Sequence, residues 1–224
     1  MKPSRIILLV SAVGWIVIYA AGFAFLGSSV PDVESSGKEI LDWFTDDGGN
    51  ARAYAWTGAI AALPLMVFGG QVAALMPRPH RYILLGGFIG WVITAQVQAW
   101  LWAGLALHPE GLDPETAQTI FDISAYWGPV INGSTMTFAA AVAAMGFGAS
   151  RMIPAWLTWL SVVFFVEQGI ETVTVFGESG FIAPGGPMNI YLGGVLGIAF
   201  VVGLIVWAYK RLGTPVDSTN PATA

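Results

Sequence analysis

Long runs of apolar residues, separated by short polar segments, make up most of this chain. A helix needs about 20 mostly apolar residues to cross the hydrocarbon core of a bilayer, because each residue adds about 1.5 Å of rise. Six runs are long enough, and they cover residues 6–27, 53–76, 82–107, 120–150, 155–176 and 188–209. The pattern therefore predicts an all-α fold in which residues 1–211 form one polytopic transmembrane bundle of six spans.

The fourth run, residues 120–150, is too long for one straight crossing. It contains Pro129, and a proline inside a helix removes one backbone hydrogen bond and clashes with the carbonyl four residues earlier. We therefore expect a bend near Pro129, or first turns that lie outside the hydrocarbon. The first run is about 21 residues long, which exceeds the roughly 7–15 of a signal-peptide core, so we expect an uncleaved helix.

Charged residues divide between two sets of connections. One set holds seven of the nine basic residues, namely Lys2, Arg5, Arg78, Arg81, Arg151, Lys210 and Arg211. The other set holds ten acidic residues, against Lys38 and Arg52. Because cytoplasmic loops carry the excess of Lys and Arg, we expect both termini in the cytoplasm of a bacterial inner-membrane protein. Residues 212–224 are expected to form a disordered cytoplasmic tail.

The two larger acidic connections carry local structural signals. In residues 28–52, the apolar positions suit either a short helix at the membrane surface or a lid packed on the bundle. These positions are Ile40, Leu41, Trp43 and Phe44. Residues 46–50, Asp-Asp-Gly-Gly-Asn, indicate a turn. Further along, Asp113 followed by Pro114 indicates a helix N-cap with proline at the first helical position.

Composition agrees with a protein whose solvent is lipid. Hydrophobic residues make up 55% of the 224 positions and charged residues 10%, with a mean hydropathy of +0.68, whereas soluble domains carry about 25% charged residues. The absence of cysteine excludes disulfides and thiolate metal sites, and two histidines make a metal site unexpected. Basic patches for nucleic acid are also missing.

Acidic residues inside the predicted spans are the chemically informative ones. Glu167 and Glu171 are four apart in the fifth span and therefore share one helix face. An acid at the centre of a span costs about 2.5–3.5 kcal/mol on insertion, so this face must contact protein or water. Because no Lys or Arg lies within a span, the pair is expected to be protonated, hydrogen-bonded to amides and hydroxyls, or occupied by a cation.

Further polar and aromatic residues fall at a similar depth or toward the acidic side, and with the two glutamates they are candidates for a ligand or ion pocket. They are Gln168, Asp122, Gln96, Gln98, Asn132, His108, Tyr126, Trp100 and Asn189. Polar groups within a membrane are candidates for function by default. A purely structural polar network is the alternative.

Glycine pairs spaced four apart occur in two spans, at Gly86 and Gly90 and at Gly193 and Gly197. Small residues at this spacing let helix backbones approach closely. The pairs predict packing within one bundle, or contact with a membrane-protein partner or a second copy of the chain.

Three features carry a resemblance to known sequences: Gly14 and Tyr19 in the first span, the acidic first connection, and Ile-Pro-Ala-Trp-Leu at residues 153–157. With these features the chain resembles uncharacterised bacterial six-span membrane proteins of a domain-of-unknown-function family. The resemblance implies the multi-pass fold and no activity, cofactor or site residue.

Three functions remain open from the sequence. The first is an accessory or scaffold subunit of a membrane assembly. The second is binding or transport of an ion or small molecule through an outward-facing polar pocket. The third is an intramembrane enzyme for a lipid-like substrate, with Glu167 or Glu171 as general acid or base and Asp122 or His108 assisting.

Overall fold

The computed structural model describes residues 3–27, 30–147 and 151–213, and every regular element in these ranges is helical. The α-helices are α1 (Pro3–Leu26), α2 (Gly37–Ala73), α3 (His80–Leu105), α4 (Pro114–Ala125), α5 (Trp127–Phe147), α6 (Ala155–Glu171) and α7 (Gly194–Arg211). Short 3-10 turns cover Pro109–Gly111, Thr172–Phe176 and Gly180–Ile182, and a π-helical segment, Met188–Gly193, leads into α7. Six helical stretches in this part of the chain are long and apolar enough to cross a membrane, with α4 and α5 forming one of them. The predicted all-α architecture is confirmed.

The helices pack as neighbours around a central apolar core. Helix α1 packs against α2, α2 against α3, α3 against α5, α5 against α6, and α7 closes the bundle against α6 and α1. Phe68, Phe88 and Phe200 lie in the core and are fully buried. The outside is apolar as well, with Leu63 71% exposed and Val195 66% exposed. Such an apolar surface is typical of a protein surrounded by lipid, because soluble monomers rarely expose large contiguous apolar patches.

Helix α2 begins far before residue 53 and continues through residues 46–50, so the turn predicted there is wrong. Ser36 and Glu39 form a capping box that starts the helix. Gly48 then lies against α3, where a Cβ atom would come within 3.4 Å of the Ala106 carbonyl oxygen. Burial of this face outweighs the low helix propensity of two adjacent glycines, which is about 1 kcal/mol each.

The first turns of α2 form a lid over one end of the bundle. Trp43 and Phe44 are buried against Trp102 of α3 and Phe121 of α4. The Trp102 and Phe121 rings stack at 5.8 Å, and the Trp102 indole donates a hydrogen bond to Ser124 Oγ at 2.8 Å. The lid arrangement of this segment is therefore the one observed.

The predicted features of the fourth span are confirmed. The Asp113 carboxylate accepts a hydrogen bond from the Thr116 backbone N–H at 3.0 Å, with Pro114 in the first turn of α4. Hydrogen bonds from the Thr116 side chain and backbone lower the pKa of Asp113. Helix α4 ends at Ala125, whose carbonyl would need the N–H that Pro129 lacks. The helix breaks at this point and resumes as α5.

The two ends of the bundle differ in charge. At one end, Arg5 Nε donates to the Tyr209 carbonyl at 3.0 Å, which joins the start of α1 to the end of α7. We call this the basic end. At the other end, the Gly180 N–H donates to the Glu34 carboxylate at 2.6 Å and joins two acidic connections. We call this the acidic end. Residues 214–224 of the predicted tail lie outside the described residues.

Helices α3 and α5 approach closely through Gly87 and Gly90. A Cβ atom on Gly87 would lie 2.7 Å from the Ser134 carbonyl oxygen and 2.8 Å from the Phe138 backbone nitrogen. Gly86, by contrast, is exposed and has nothing within 4 Å of a Cβ position. Within the bundle, the contact predicted for Gly86 is therefore made by Gly87 instead, whereas Gly193 and Gly197 both face α6 side chains. Contact of Gly86 with a partner or a second copy stays a prediction.

This difference predicts the effect of adding a methyl group to each glycine. Gly87→Ala should lower the free energy of unfolding by about 1–3 kcal/mol, because backbone atoms of α5 cannot move aside without separating two helices. Gly86→Ala should be neutral or slightly stabilising, since alanine favours the helix. Thermal unfolding of both variants in detergent measures the difference. Equal unfolding temperatures would contradict the α3–α5 contact.

Candidate functional site

The acidic face of α6 points into the bundle, as predicted. Glu167 is 8% exposed, Gln168 3% and Glu171 2%. Their side chains face α5 and the π-helical segment, from which Asn132, Thr135 and Asn189 are also buried. We call these six residues the polar cluster.

Gln168 holds the two glutamates together. Its Nε2 donates to Glu167 Oε2 at 3.0 Å and to Glu171 Oε2 at 2.8 Å. Its Oε1 accepts a hydrogen bond from Thr135 Oγ1. Both amide hydrogens are therefore committed to the carboxylates. This arrangement fixes the orientation of the amide and keeps one oxygen of each glutamate as an acceptor.

Two glycines make room for the polar side chains. The Glu171 carboxylate lies against Gly193, where a Cβ atom would come within 2.5 Å of Oε1. Asn189 Oδ1 accepts a hydrogen bond from the Gly185 N–H at 3.0 Å, and the same side chain lies against Gly128. The Asn132 amide is near the Glu171 carboxylate, although not in hydrogen-bonding geometry.

Four buried atoms of the polar cluster have no hydrogen-bond partner in the described chain. They are Glu167 Oε1, Glu171 Oε1, Asn132 Nδ2 and Asn189 Nδ2. Each such atom costs about 1–3 kcal/mol when it is unsatisfied, and native proteins leave few of them. Two of these atoms belong to neighbours, Asn132 and Glu171, and the two acceptors and two donors together make the cluster a candidate site for a proton, a water molecule or an ion.

The backbone beside the cluster is also unusual. Met188–Gly193 forms a π-helical segment, a conformation that accounts for well under about 1% of residues and frequently marks functional sites. The segment places Asn189 and Gly193 on the buried side of the helix. It therefore brings one polar side chain and the space for Glu171 to the same interface.

The two carboxylates of the cluster repel each other when both are ionised. The two carboxylates share one amide nitrogen, so their nearest oxygens are less than about 6 Å apart. Two negative charges at that distance repel by about 3 kcal/mol at an effective dielectric constant of about 20. Helix α5 has no ionisable residue, and Lys210 and Arg211 lie at the basic end of α7. One proton or one cation held by the pair removes this repulsion.

The structure places the other candidates elsewhere. Gln98 accepts a hydrogen bond from Tyr54 at 3.2 Å, and Gln96 donates to the Gly58 carbonyl at 2.9 Å. Both therefore join α3 to α2, and Gln96 lines a cavity of about 30 Å³. No hydrogen bond in the described ranges joins the remaining four candidates to the polar cluster. These are Asp122, His108, Tyr126 and Trp100, and the last three are exposed.

Sequence reasoning missed Thr135 and the role of Gly193. Thr135 is three residues after Asn132, so helical spacing alone places both on one face of α5. This spacing was sufficient to predict Thr135 as a member of the site. The contact between Gly193 and Glu171 depends on the relative register of α6 and the π-helical segment, which no local pattern encodes.

The acids of this cluster occur as a pair. No group of three or more His, Asp or Glu residues in the described ranges is arranged to hold a metal ion. Comparison of the chain with protein-family models, curated proteins and solved structures found no match. The resemblance to an uncharacterised bacterial family stays a prediction, and function is argued from the polar cluster.

Adding a methyl group at Gly193 tests the geometry of the cluster. Gly193→Ala should displace the Glu171 carboxylate from Gln168 and lower the free energy of unfolding by about 1.5–3 kcal/mol, the value of a hydrogen bond to a charged group. Gly194→Ala is the matched control, because nothing lies within 4 Å of its Cβ position. Thermal unfolding in detergent compares the two. Equal unfolding temperatures for Gly193→Ala and wild type would show that the Glu171 carboxylate does not lie against Gly193.

Proposed function

We propose that this protein is a multi-pass protein of the bacterial cytoplasmic membrane that binds a proton or a small monovalent cation between Glu167 and Glu171. One observation carries the proposal: two buried carboxylates, each with an unpaired oxygen, share the Gln168 amide, and no basic residue in the described part of the chain pairs with them. A buried pair of like charges is stable when a positive charge is shared between them. This favours the ion-binding hypothesis over the other two.

A divalent ion fits the cluster less well. Calcium takes six to eight oxygen ligands and magnesium requires octahedral geometry, whereas the glutamates offer two unpaired oxygens. A proton, or a monovalent cation with few protein ligands, matches this donor set. It also leaves the pair with a single negative charge.

The alternative functions have less support. A lipid-like substrate needs access to its general acid or base, but Glu167 and Glu171 are 8% and 2% exposed. The scaffold hypothesis concerns the outer surface of the bundle, and it stays a prediction because the structure holds one chain.

The proposed orientation puts the basic end in the cytoplasm and both termini inside. The chain contains no cysteine, so single cysteines can be added without a background signal. We expect a membrane-impermeant thiol reagent to label intact cells at positions 46, 110 and 178, and to label positions 78 and 151 after the membrane is opened. Labelling of any position from the opposite side would overturn the orientation.

Binding of a proton by the folded pair predicts a pH-dependent stability. Unfolded glutamates are ionised above about pH 5, so the folded protein holds one more proton than the unfolded chain. Stability should therefore be highest at low pH and fall as pH rises from 5 to 9, by up to about 1.4 kcal/mol per pH unit. Thermal unfolding in detergent measures this slope, and added Na⁺ or K⁺ tests rescue by a cation at high pH.

Glutamine variants assign the pH effect to the pair. Glu167→Gln and Glu171→Gln each remove one ionisable group and the repulsion with it, and leave one buried carboxylate, so the slope should become smaller in both variants. Glu178→Gln is the control, because Glu178 is exposed at the acidic end. Identical slopes in wild type and in both cluster variants would rule out the pair as the binding site.

A further inference from the structure

The unpaired groups of the polar cluster form a row that runs toward the acidic end. We call this row, which consists of Glu167, Glu171, Asn132 and Asn189, the file. Glu171 lies one helical turn from Glu167 along α6. Asn132 of α5 is beside Glu171. Asn189 lies one turn beyond that level, because it contacts Gly128, which precedes Asn132 by one turn of α5. The four residues thus extend over about two helical turns.

The chemistry of the file matches water and a proton. The unpaired glutamate oxygens accept hydrogen bonds, and the unpaired asparagine nitrogens donate them. A water molecule satisfies both kinds of group, because it donates two hydrogen bonds and accepts two. A metal ion satisfies the oxygens but is repelled by the amide N–H groups. The donor set of the whole file therefore favours a proton carried through water.

The file ends close to the surface at the acidic end. Asn189 Oδ1 accepts its hydrogen bond from Gly185. Gly185 and Gly186 are half-buried, and Pro187 is exposed. One glycine turn therefore separates Asn189 from the outside of the protein.

The opposite direction is closed by three phenylalanines. Phe164 lies one turn beyond Glu167 on α6, Phe138 lies one turn beyond Thr135 on α5, and Phe200 belongs to α7. The Phe164 ring lies 6.2 Å from the Phe138 ring and 5.0 Å from the Phe200 ring, and the other two rings are 5.6 Å apart. All three side chains are buried, at 3% exposure or less. We call these three side chains the phenylalanine plug, and their rings have no hydrogen-bonding group. One turn beyond the plug on α6, the buried Ser161 hydroxyl donates to the Leu157 carbonyl.

Few other ionisable groups can influence the pair. Helix α5 and the 3-10 turn after α6 have none. The π-helical segment has Tyr191, which is 69% exposed, and α7 has Tyr209, Lys210 and Arg211 in its last turn at the basic end. Titration of the cluster is therefore a property of Glu167 and Glu171.

We propose that the Glu167–Glu171 pair exchanges its proton with the acidic end alone, along Asn132 and Asn189, while the phenylalanine plug blocks exchange with the basic end. This inference rests on the proposed function, namely that the pair binds a proton. It adds the direction of access and the identity of the ion.

The test uses the full-length chain in sealed vesicles of phosphatidylcholine and phosphatidylglycerol. A single cysteine in place of Glu178 reports which end faces outward and allows vesicles of each orientation to be separated. The external pH is stepped, and the infrared band of a protonated carboxyl group is followed. The double variant Glu167→Gln, Glu171→Gln assigns the band to the pair.

We expect the band to change at once in vesicles whose acidic end faces outward. Vesicles with the basic end outward should respond only after a protonophore equilibrates the two sides. A rapid response from the basic end, alone or together with the acidic end, would overturn the inference and leave the proposed function intact. A band that is absent, or that never responds to pH, would overturn the proposed function as well.

An asparagine variant tests the route itself. Asn189→Leu removes the polar group nearest the surface and should abolish the rapid response from the acidic end. Ile190→Leu, at an exposed neighbouring position, is the control and should respond like wild type. An unchanged rapid response in Asn189→Leu would exclude this residue from the route.

Discussion

Two carboxylates buried side by side, without a basic residue to balance them, are the constraint on which the site depends. In a medium of low dielectric constant their repulsion and their desolvation both oppose ionisation of the pair. The hydrogen-bond donors beside the carboxylates are neutral side chains instead of a Lys or Arg. Gln168 gives both of its amide hydrogens to the glutamates, and Thr135 fixes the orientation of that amide. These donors hold the carboxylates in place without cancelling their charge.

The backbone around the pair is shaped by the same constraint. Gly193 leaves space for the Glu171 carboxylate, and the π-helical segment turns Asn189 to the same interface. Beyond the cluster, Phe138 and Phe164 stack on Phe200 and return the core to apolar packing. The carboxylate and amide groups of the α5–α6–α7 interface are thus confined to the half that is nearer the acidic end. Beyond the phenylalanines, the buried hydroxyls of Thr158 and Ser161 donate to backbone carbonyls. Elsewhere the bundle relies on close helix contacts, such as the one that Gly87 allows between α3 and α5.

Local chemistry made much of this architecture predictable. The apolar runs predict the six long helices. Asp113 and Pro114 predict the start of α4, and Pro129 predicts the break before α5. The inward direction of Glu167 and Glu171 followed from the cost of placing an acid in lipid. The predicted turn at residues 46–50 failed because tertiary burial of one face of α2 outweighs the preference of glycine for turns.

Other features depend on how the helices are rotated and aligned, which a single sequence does not encode. Depth along a span could be read from residue number, so Gln96 and Gln98 were grouped with the glutamates. The direction in which these side chains point around the helix axis could not be read in this way, and both form hydrogen bonds with α2 instead. The same limit applies to Gly86, which misses the α5 contact by one position, and to the contact between Gly193 and Glu171.

The most direct test of the central claim is to count protons on the glutamates of the folded protein. The chain has seven glutamates, so carbon-13 labelling of their carboxyl groups gives a simple solid-state NMR spectrum in lipid vesicles. At neutral pH, we expect one protonated carboxyl signal, and we expect it to be absent from the Glu167→Gln, Glu171→Gln double variant. Seven ionised carboxylates in the wild-type protein, with no protonated signal, would contradict the account.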